Sequence, residues 1–134
     1  MKASWSVLLT TSLVACANPT APEAPVQFEI GSTFQRGSAI PVTVLNATDQ
    51  VVTVAACGDR INPVLERAEG MRWALYASGV CLAIYPMIPL TLGPGDRRTT
   101  SVTVQDAGRY RFRIRAGNSP GFSTYVASAP FDVR

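Results

Sequence analysis

Four arginines occupy alternate positions in the stretch GRYRFRIRAG, residues 108–117 of this 134-residue chain. They are Arg109, Arg111, Arg113 and Arg115. A guanidinium group is permanently charged, and its fork of N–H donors matches phosphate and carboxylate groups. Side chains alternate between the two faces of a β-strand, so a strand here would place the four in one row about 20 Å long. The pattern indicates either an anion-binding face or the solvent face of a sheet.

The row does not require a ligand. Neighbours on one strand face are about 6.7 Å apart, where two unit charges in water repel by only about 0.6 kcal/mol. Salt screens this repulsion over about 8 Å. On this interpretation Glu66, Glu69 or Asp132 are the expected cross-strand partners, and replacing Arg111 and Arg113 by serine changes stability little. On the other interpretation the row binds an anionic partner.

The chain contains few of the side chains that usually act in catalysis or bind metals. It has no histidine, which removes Ser-His-Asp and Cys-His catalysis and the usual zinc sites. Pairs of carboxylates are still available for acid–base chemistry, although nothing in their spacing marks them. They include Asp59, Glu66, Glu69 and Asp96. We predict no catalytic residue, no metal site and no cofactor.

The N-terminus has the pattern of an export signal. Met1-Lys2 is followed by a mostly apolar run over 3–14, typical of a secretory signal and shorter than the ~20 residues that span a bilayer. The run ends in Leu13-Val14-Ala15-Cys16, which resembles the lipobox of bacterial lipoproteins. The resemblance implies cleavage before Cys16, lipidation of Cys16 and anchoring in the cell envelope. Ala17, where aspartate would indicate inner-membrane retention, favours the outer membrane in a Gram-negative cell.

Three segments follow from this interpretation: a lipoprotein signal peptide at 1–15, the lipidated cysteine and a tether at 16–25, and one domain at 26–134. The tether sequence NPTAPEAP is extended and semi-rigid, spanning about 25 Å at about 3.1 Å per residue. Without residues 1–15 the formal charge falls from +3 to +2, because Lys2 is the only lysine. Lysine chemistry is thereby excluded, and so small a charge does not indicate nucleic acid.

Two cysteines remain after Cys16, namely Cys57 and Cys81. In an exported protein they are expected to form a disulfide. The bridge would close a 25-residue loop and stabilise the fold by about 3.5 kcal/mol in the chain-entropy description. The apolar segment GVCLAIYPMIP, residues 79–89, is expected to cover one end of the domain, or to form a partner-binding patch if it is exposed.

Short alternating strands separated by turns predict an all-β, antiparallel β-sandwich. The predicted strands are 26–30, 40–45, 50–56, 64–68, 71–76, 88–92, 98–104, 109–116 and 122–133. We expect 50–56 to pair with 40–45, and Trp73 to lie in the core.

Turn residues predict how some of these strands connect. Glu69-Gly70 is the expected two-residue loop of a hairpin. Gly93–Asp96 is expected to form a type II turn with positive φ at Gly95. Pro130 should lie at a sheet edge or a bulge because it has no amide donor.

The stretch DAGRYRF, residues 106–112, resembles the tyrosine corner of immunoglobulin-like domains, with Tyr110 as the tyrosine. Together with NATDQ, LER, GMRW and LGPGD, it resembles the bacterial immunoglobulin-like domains of exported proteins over 26–134. That resemblance implies a non-enzymatic binding or structural module of the envelope. Its partner would be an anionic envelope component (lipid A phosphate, phospholipid head or acidic glycan) or a protein, and not nucleic acid.

A similar skeleton occurs in intracellular proteinase inhibitor-like domains. This second resemblance implies an alternative function, proteinase inhibition through an exposed loop such as 57–63 or 82–89.

Overall fold

The computed structural model describes residues 24–77, 88–118 and 124–134. These ranges form thirteen β-strands and no helix, and the strands build a mainly antiparallel β-sandwich, as the sequence predicts. Within them there is accordingly no helix of the length and apolarity that a membrane crossing requires.

The first sheet has three strands, with β3 in the centre. They are β1 (Gln27–Glu29), β3 (Ala39–Leu45) and β10 (Arg97–Thr103). The second sheet has eight strands. They are β2 (Thr33–Phe34), β4 (Val52–Val54), β7 (Val64–Glu69), β8 (Arg72–Ala77), β9 (Leu90–Leu92), β11 (Gly108–Gly117), β12 (Thr124–Ala127) and β13 (Phe131–Val133). A separate hairpin consists of β5 (Ala56–Cys57) and β6 (Arg60–Ile61).

Strand β11 is the centre of the second sheet. Its ten residues are long enough to pair with two strands along each edge. Tyr110 lies opposite Phe131 of β13 and opposite Arg67 of β7, while Ala116 lies opposite Thr124 of β12 and Val54 of β4. Strand β8 continues the sheet beyond β7, and β2 runs parallel to β13 at the other side. Of the strands in the described ranges, the one that carries the arginine row is therefore the most extensively paired.

The core lies between the two sheets. The inward side chains of β11 are fully buried, as the alternation predicts. They are Tyr110, Phe112, Ile114 and Ala116. From the first sheet, Ile40, Val42 and Val44 pack against them. Phe131 stacks between the rings of Tyr110 and Phe112, at centroid distances of 6.0 and 5.4 Å.

The turn before β10 has the predicted geometry. The Asp96 amide donates to the Gly93 carbonyl at 3.1 Å, and Gly95 has a φ of 78°, as a type II turn requires. The turn is also joined to the chain after β3, because the Gly95 amide donates to the carbonyl of Asn46.

Strand β4 does not pair with β3, so the prediction for 50–56 is wrong. It pairs instead with β9 and β11 of the second sheet. The cause is Asn46, which is fully buried and donates from Nδ2 to the carbonyls of Gln50 and Leu92. These bonds direct the chain out of the first sheet and into the second.

The predicted strand 122–133 is divided into β12 and β13 in its described part. Pro130 lies in the interruption, where its missing amide costs no ladder bond. Ser128 bridges the gap, since its amide donates to the Phe112 carbonyl and its Oγ accepts from the Phe112 amide.

Candidate binding face of the second sheet

The outer surface of the second sheet carries the arginine row, and we call this surface the arginine face. It consists of Arg109, Arg111, Arg113 and Arg115 of β11 together with Glu66, Trp73, Leu75, Tyr125 and Asp132 from the flanking strands. The alternation of β11 is the one predicted, with the aromatic and aliphatic residues inward and the arginines outward. Arg111 and Arg113 are nevertheless half-buried rather than fully solvated.

Glu66 holds the two central arginines. It lies opposite Arg111 in the β7–β11 register and is only 5% exposed. Its Oε2 accepts from Arg111 Nε at 2.7 Å, and its Oε1 lies 3.2 Å from Arg113 Nε. The first contact is a hydrogen bond, whereas the angle at Arg113 does not satisfy one. A single carboxylate thus fixes two guanidinium groups side by side.

Aromatic rings support the same guanidinium groups. Arg111 lies over Trp73, with 4.6 Å from Cζ to the ring centroid, and Arg113 lies over Tyr125 at 4.2 Å. Arg115 lies 5.8 Å from the Tyr125 centroid. These distances are within the range of cation–π attraction. On this face Trp73 contacts Arg111, Tyr125 contacts Arg113 and Arg115, and Glu66 joins Arg111 to Arg113.

Trp73 is not a core residue, so that prediction is wrong. It lies opposite Ala68 in the β7–β8 hairpin, on the same side of the sheet as Glu66. Strand β8 is the outer strand at this end of the second sheet, and only part of its surface packs on the core. Leu75, on the same side, is 65% exposed.

The other expected ion pairs are weaker or lie elsewhere. Asp132 is paired with Arg109 at 3.9 Å, with both side chains largely exposed. Exposed pairs of this kind contribute little to stability. Glu69 lies opposite Arg72 near the hairpin turn and not beside the row.

The contacts of Arg111 and Arg113 leave their outer ends available. In the described ranges no residue accepts a hydrogen bond from the Nη atoms of either arginine, since Glu66 contacts both at Nε. The Nη pair of a guanidinium is one of the edges that binds phosphate or carboxylate bidentately. Two such edges are therefore presented from a fixed position.

The structure changes the expectation that serine at both Arg111 and Arg113 is harmless. Their removal would leave the Glu66 carboxylate buried without a cation, and an uncompensated buried charge is strongly destabilising.

Tyr110 makes the backward hydrogen bond of a tyrosine corner. Its hydroxyl donates to the carbonyl of Asp106 at 2.9 Å, and the residue is fully buried. Tyr76 packs edge-on against the Tyr110 ring at 5.1 Å and donates to Asp106 Oδ2 at 2.6 Å. The hydrogen bond to this carboxylate, followed by partial removal from water, raises the pKa of Tyr76 to about 12.

A β-bulge positions Tyr76. Leu65 lies opposite Ala77 whereas Glu66 lies opposite Leu75, so Tyr76 has no partner on β7. Tyr76 points to the inner side of the sheet, where it contacts Tyr110, and Glu66 lies on the arginine face opposite Leu75 and Arg111. Sequence reasoning found Tyr110 and the arginines but not this bulge or the burial of Glu66.

Several predicted features lie outside the described residues. They are the signal segment 1–15, Cys16 and most of the tether, Cys81, and the loop 82–87. Cys57 lies half-buried in β5, and its pairing with Cys81 stays a prediction. The other proposed loop, 57–63, contains the tight hairpin of β5 and β6.

Two of the four carboxylates considered for catalysis, Asp96 and Glu66, are engaged in structural contacts. Asp96 Oδ2 accepts from the Gly93 amide, and Glu66 is committed to its two arginines. A cleft of about 410 Å³ between β10 and the end of β8 is lined by uncharged residues. Across the described ranges, no three of the Cys, Asp and Glu side chains are grouped as metal ligands.

Comparison of the chain with protein-family models, with curated proteins and with solved structures gives no match.

Proposed function

We propose that this protein is a membrane-anchored, non-enzymatic binding module of the bacterial cell envelope, built on an immunoglobulin-like domain. Its binding surface is the arginine face, which recognises anionic groups. One observation carries the proposal: Glu66 and two aromatic rings fix Arg111 and Arg113 while leaving their Nη atoms without an acceptor in the described residues.

The physical reason is preorganisation. A free arginine loses side-chain entropy when it binds, a cost of about 0.5–1.5 kcal/mol for each immobilised side chain. Contacts with Glu66, Trp73 and Tyr125 incur that cost during folding, so a ligand does not incur it again. Planar guanidinium groups stacked on rings also stay charged and partly desolvated, which strengthens their bonds to oxyanions.

The fold and the corner support the immunoglobulin-like assignment. Two sheets pack on one core, and Tyr110 bonds back to Asp106 at the start of β11, as in the corner of that family. The export signal, the lipidation of Cys16 and the disulfide between Cys57 and Cys81 are supported by the sequence patterns alone. An envelope location accounts for all three together.

The non-enzymatic assignment is supported by the state of the ionisable groups. Glu29, Glu66 and Asp132 are paired with arginines, Asp96 accepts from a turn amide, and Asp106 accepts from the Tyr76 hydroxyl. The cleft beside β10 is lined by residues without a carboxylate. Tyr76, which lines that cleft, is a neutral hydrogen-bond donor to Asp106 at physiological pH.

Lipidation is tested by radiolabelled palmitate in cells that express the full chain. The label should attach to the wild-type protein and not to Cys16→Ser. Absence of label from the wild-type protein would remove the anchor from the proposal.

The binding surface is tested by a photo-cross-linking amino acid placed in the full chain at Leu75, on the arginine face. The matched control is the same amino acid at Ser101, which is exposed on the outer side of the first sheet. We expect adducts from position 75 and few from position 101. Equal yields at the two positions would show that the arginine face is not the binding surface.

Proteinase inhibition is the alternative outcome. An inhibition assay across serine and cysteine proteinases should show none with the purified protein. Subnanomolar inhibition, abolished by changes within 57–63 or 82–89, would replace the present proposal.

A further inference from the structure

The positive charge of this molecule is concentrated on one face. The arginine face has four arginines and two carboxylates, Glu66 and Asp132, which leaves two positive charges. The rest of the chain after residue 15 has seven arginines and seven acidic residues. The whole net formal charge of the anchored protein therefore belongs to the arginine face, so the domain has one positively charged side.

We infer that the arginine face docks on the anionic headgroup layer of the membrane that holds the chain, binding lipid phosphates. This inference rests on the proposed anchoring at Cys16. The alternatives, an acidic protein or an acidic glycan, are outcomes of the test below.

The shape of the face fits a flat layer of phosphates. The row follows one strand of a sheet over about 20 Å, with cations about 6.7 Å apart, so that several headgroups can be contacted together. The Nη edges of Arg111 and Arg113 are suited to phosphate oxygens. An isolated small anion would use only part of such a row.

The uncharged residues of the face suit the same environment. Leu75 is 65% exposed and Tyr125 is 53% exposed, and they lie on opposite sides of the arginine row, on β8 and β12. Trp73, on the same side of β8 as Leu75, contacts Arg111. Aromatic residues are enriched at the level of lipid headgroups, and arginine places its charge there while its stem contacts apolar surface. Leu75, Trp73 and Tyr125 would therefore contact the headgroup layer together with the arginines.

The anchor makes this contact reachable. Strand β1, which follows the tether, belongs to the first sheet. The tether must therefore extend past the thickness of the sandwich before the arginine face can contact the membrane. Packed sheets lie about 10 Å apart, whereas ten extended tether residues reach about 30 Å. A tether of this length also gives an effective concentration in the millimolar range, so a weak surface affinity is sufficient.

Trp73 provides a built-in reporter of docking. The chain has two tryptophans, Trp5 and Trp73, and Trp5 is lost with the proposed signal peptide, so the mature lipidated protein reports only from the arginine face. This protein would be reconstituted in vesicles of phosphatidylcholine alone, or of phosphatidylcholine with phosphatidylglycerol. Quenching of Trp73 by headgroup-labelled lipid and protection from aqueous iodide would be measured at low and high salt.

We expect lipid quenching and iodide protection in the anionic vesicles, and loss of both at high salt. The double variant Arg109→Gln/Arg115→Gln keeps the contacts of Glu66. At about 1 kcal/mol per arginine near an anionic surface it should weaken docking about 30-fold. The control Arg36→Gln/Arg98→Gln makes the same change in net charge at exposed positions away from this face, and should change docking by less than about twofold.

Equal quenching in neutral and anionic vesicles, or an equal loss in the control variant, would overturn the inference. A protein that is palmitoylated but shows no lipid quenching would leave the proposed anchor intact and reject only the lipid partner. Cross-links from position 75 to protein or glycan, without lipid adducts, would also reject it. Failure of palmitate labelling would instead remove the proposed function on which the inference rests.

Discussion

Glu66 is the side chain that contacts both central arginines of the arginine face. It is almost completely buried, and its carboxylate contacts two cations that are about one-quarter and one-third exposed. Without Glu66, Arg111 and Arg113 would be two neighbouring, partly desolvated positive charges that repel each other. The acidic residue therefore stabilises the fold and orients the two guanidinium groups at the same time.

We expect Glu66→Gln to destabilise the protein by about 2 kcal/mol, less than a fully buried broken pair because both arginines retain some water. Urea unfolding followed by circular dichroism measures this change. Glu29→Gln removes an exposed partner of Arg97 and should cost less than about 0.5 kcal/mol. Equal losses in the two variants would show that Glu66 does not brace the face.

Tyr76 gives a prediction on pH. Its pKa of about 12 in the folded protein lies above the ordinary value of about 10, so the unfolded chain loses this proton first. The stability that Tyr76 contributes is fully present below about pH 10 and is lost as pH rises towards about 12. Asp106→Asn should return the pKa of Tyr76 towards its ordinary value, because the hydrogen-bonded carboxylate is the main cause.

The titration is followed by the ultraviolet absorbance of ionising tyrosine, and the difference between wild type and Tyr76→Phe isolates Tyr76 from the three other tyrosines. A Tyr76 pKa that is unchanged by Asp106→Asn would contradict the assigned cause.

The burial of Glu66 and the outward position of Trp73 show where residue-level prediction fails. In a strand, glutamate usually marks the solvent side and tryptophan the core. Both residues here lie on the outer side, as alternation allows, but the arginines of β11 cover the carboxylate and the ring. That arrangement depends on the register of β7 against β11, which no local pattern contains.

At the scale of elements, the hairpin of β7 and β8 holds Trp73 and Leu75 beside the arginines. Its two-residue turn is Gly70-Met71, one residue later than predicted, because Glu69 and Arg72 still form the last pair. Gly70 has a φ of 62° and Met71 does not have a positive φ, the pattern of a type II′ turn. The position of glycine in the loop thus sets the register.

We expect Gly70→Ala to destabilise the protein by about 1 kcal/mol, because alanine disfavours positive φ. A Cβ at this position meets nothing within 4 Å, so the loss should be conformational and not steric. Thermal unfolding measures it. Gly70→Asn should recover part of the loss, since asparagine tolerates this region. A loss from Gly70→Asn as large as that from Gly70→Ala would point to a different cause.

Long periodic strands were predictable and short ones were not. The alternation of β11 identified its core face and its arginine row, and Gly95 identified the turn between β9 and β10. Strands β2, β5 and β6 have two residues each, too few for a period to appear. The placement of β4 in the second sheet depends on the hydrogen bonds of the buried Asn46 side chain, which connect residues far apart in sequence.

At the scale of the molecule, the fold and the distribution of charge distinguish the two sides of the domain, and the proposed anchor would give the domain an orientation. The core is closed by residues of both sheets, so the outer side of each sheet is free to differ in charge. The outer side of the first sheet is rich in hydroxyl groups, such as Thr43 and Thr99, which share a hydrogen bond. The second sheet carries the net positive charge. A domain held close to an anionic surface would present these two sides in opposite directions.

The predicted bond between Cys57 and Cys81 would be a large whole-molecule contribution to stability. Cys57 lies in the β5–β6 hairpin, and a bond to Cys81 would join this hairpin to the segment between β8 and β9. In the chain-entropy description, loss of the 25-residue loop constraint should destabilise the protein by about 3.5 kcal/mol. We expect Cys57→Ser, Cys81→Ser and the double variant to be destabilised by similar amounts, because each removes the same bond.

Urea unfolding of the three variants, with and without reductant, measures the effect. Reductant should lower the stability of the wild-type protein to that of the variants and leave the variants unchanged. Thiol labelling of the unfolded, unreduced wild-type protein should find neither Cys57 nor Cys81 reactive. Two reactive thiols, or a wild-type stability that does not respond to reductant, would show that the two cysteines are not joined.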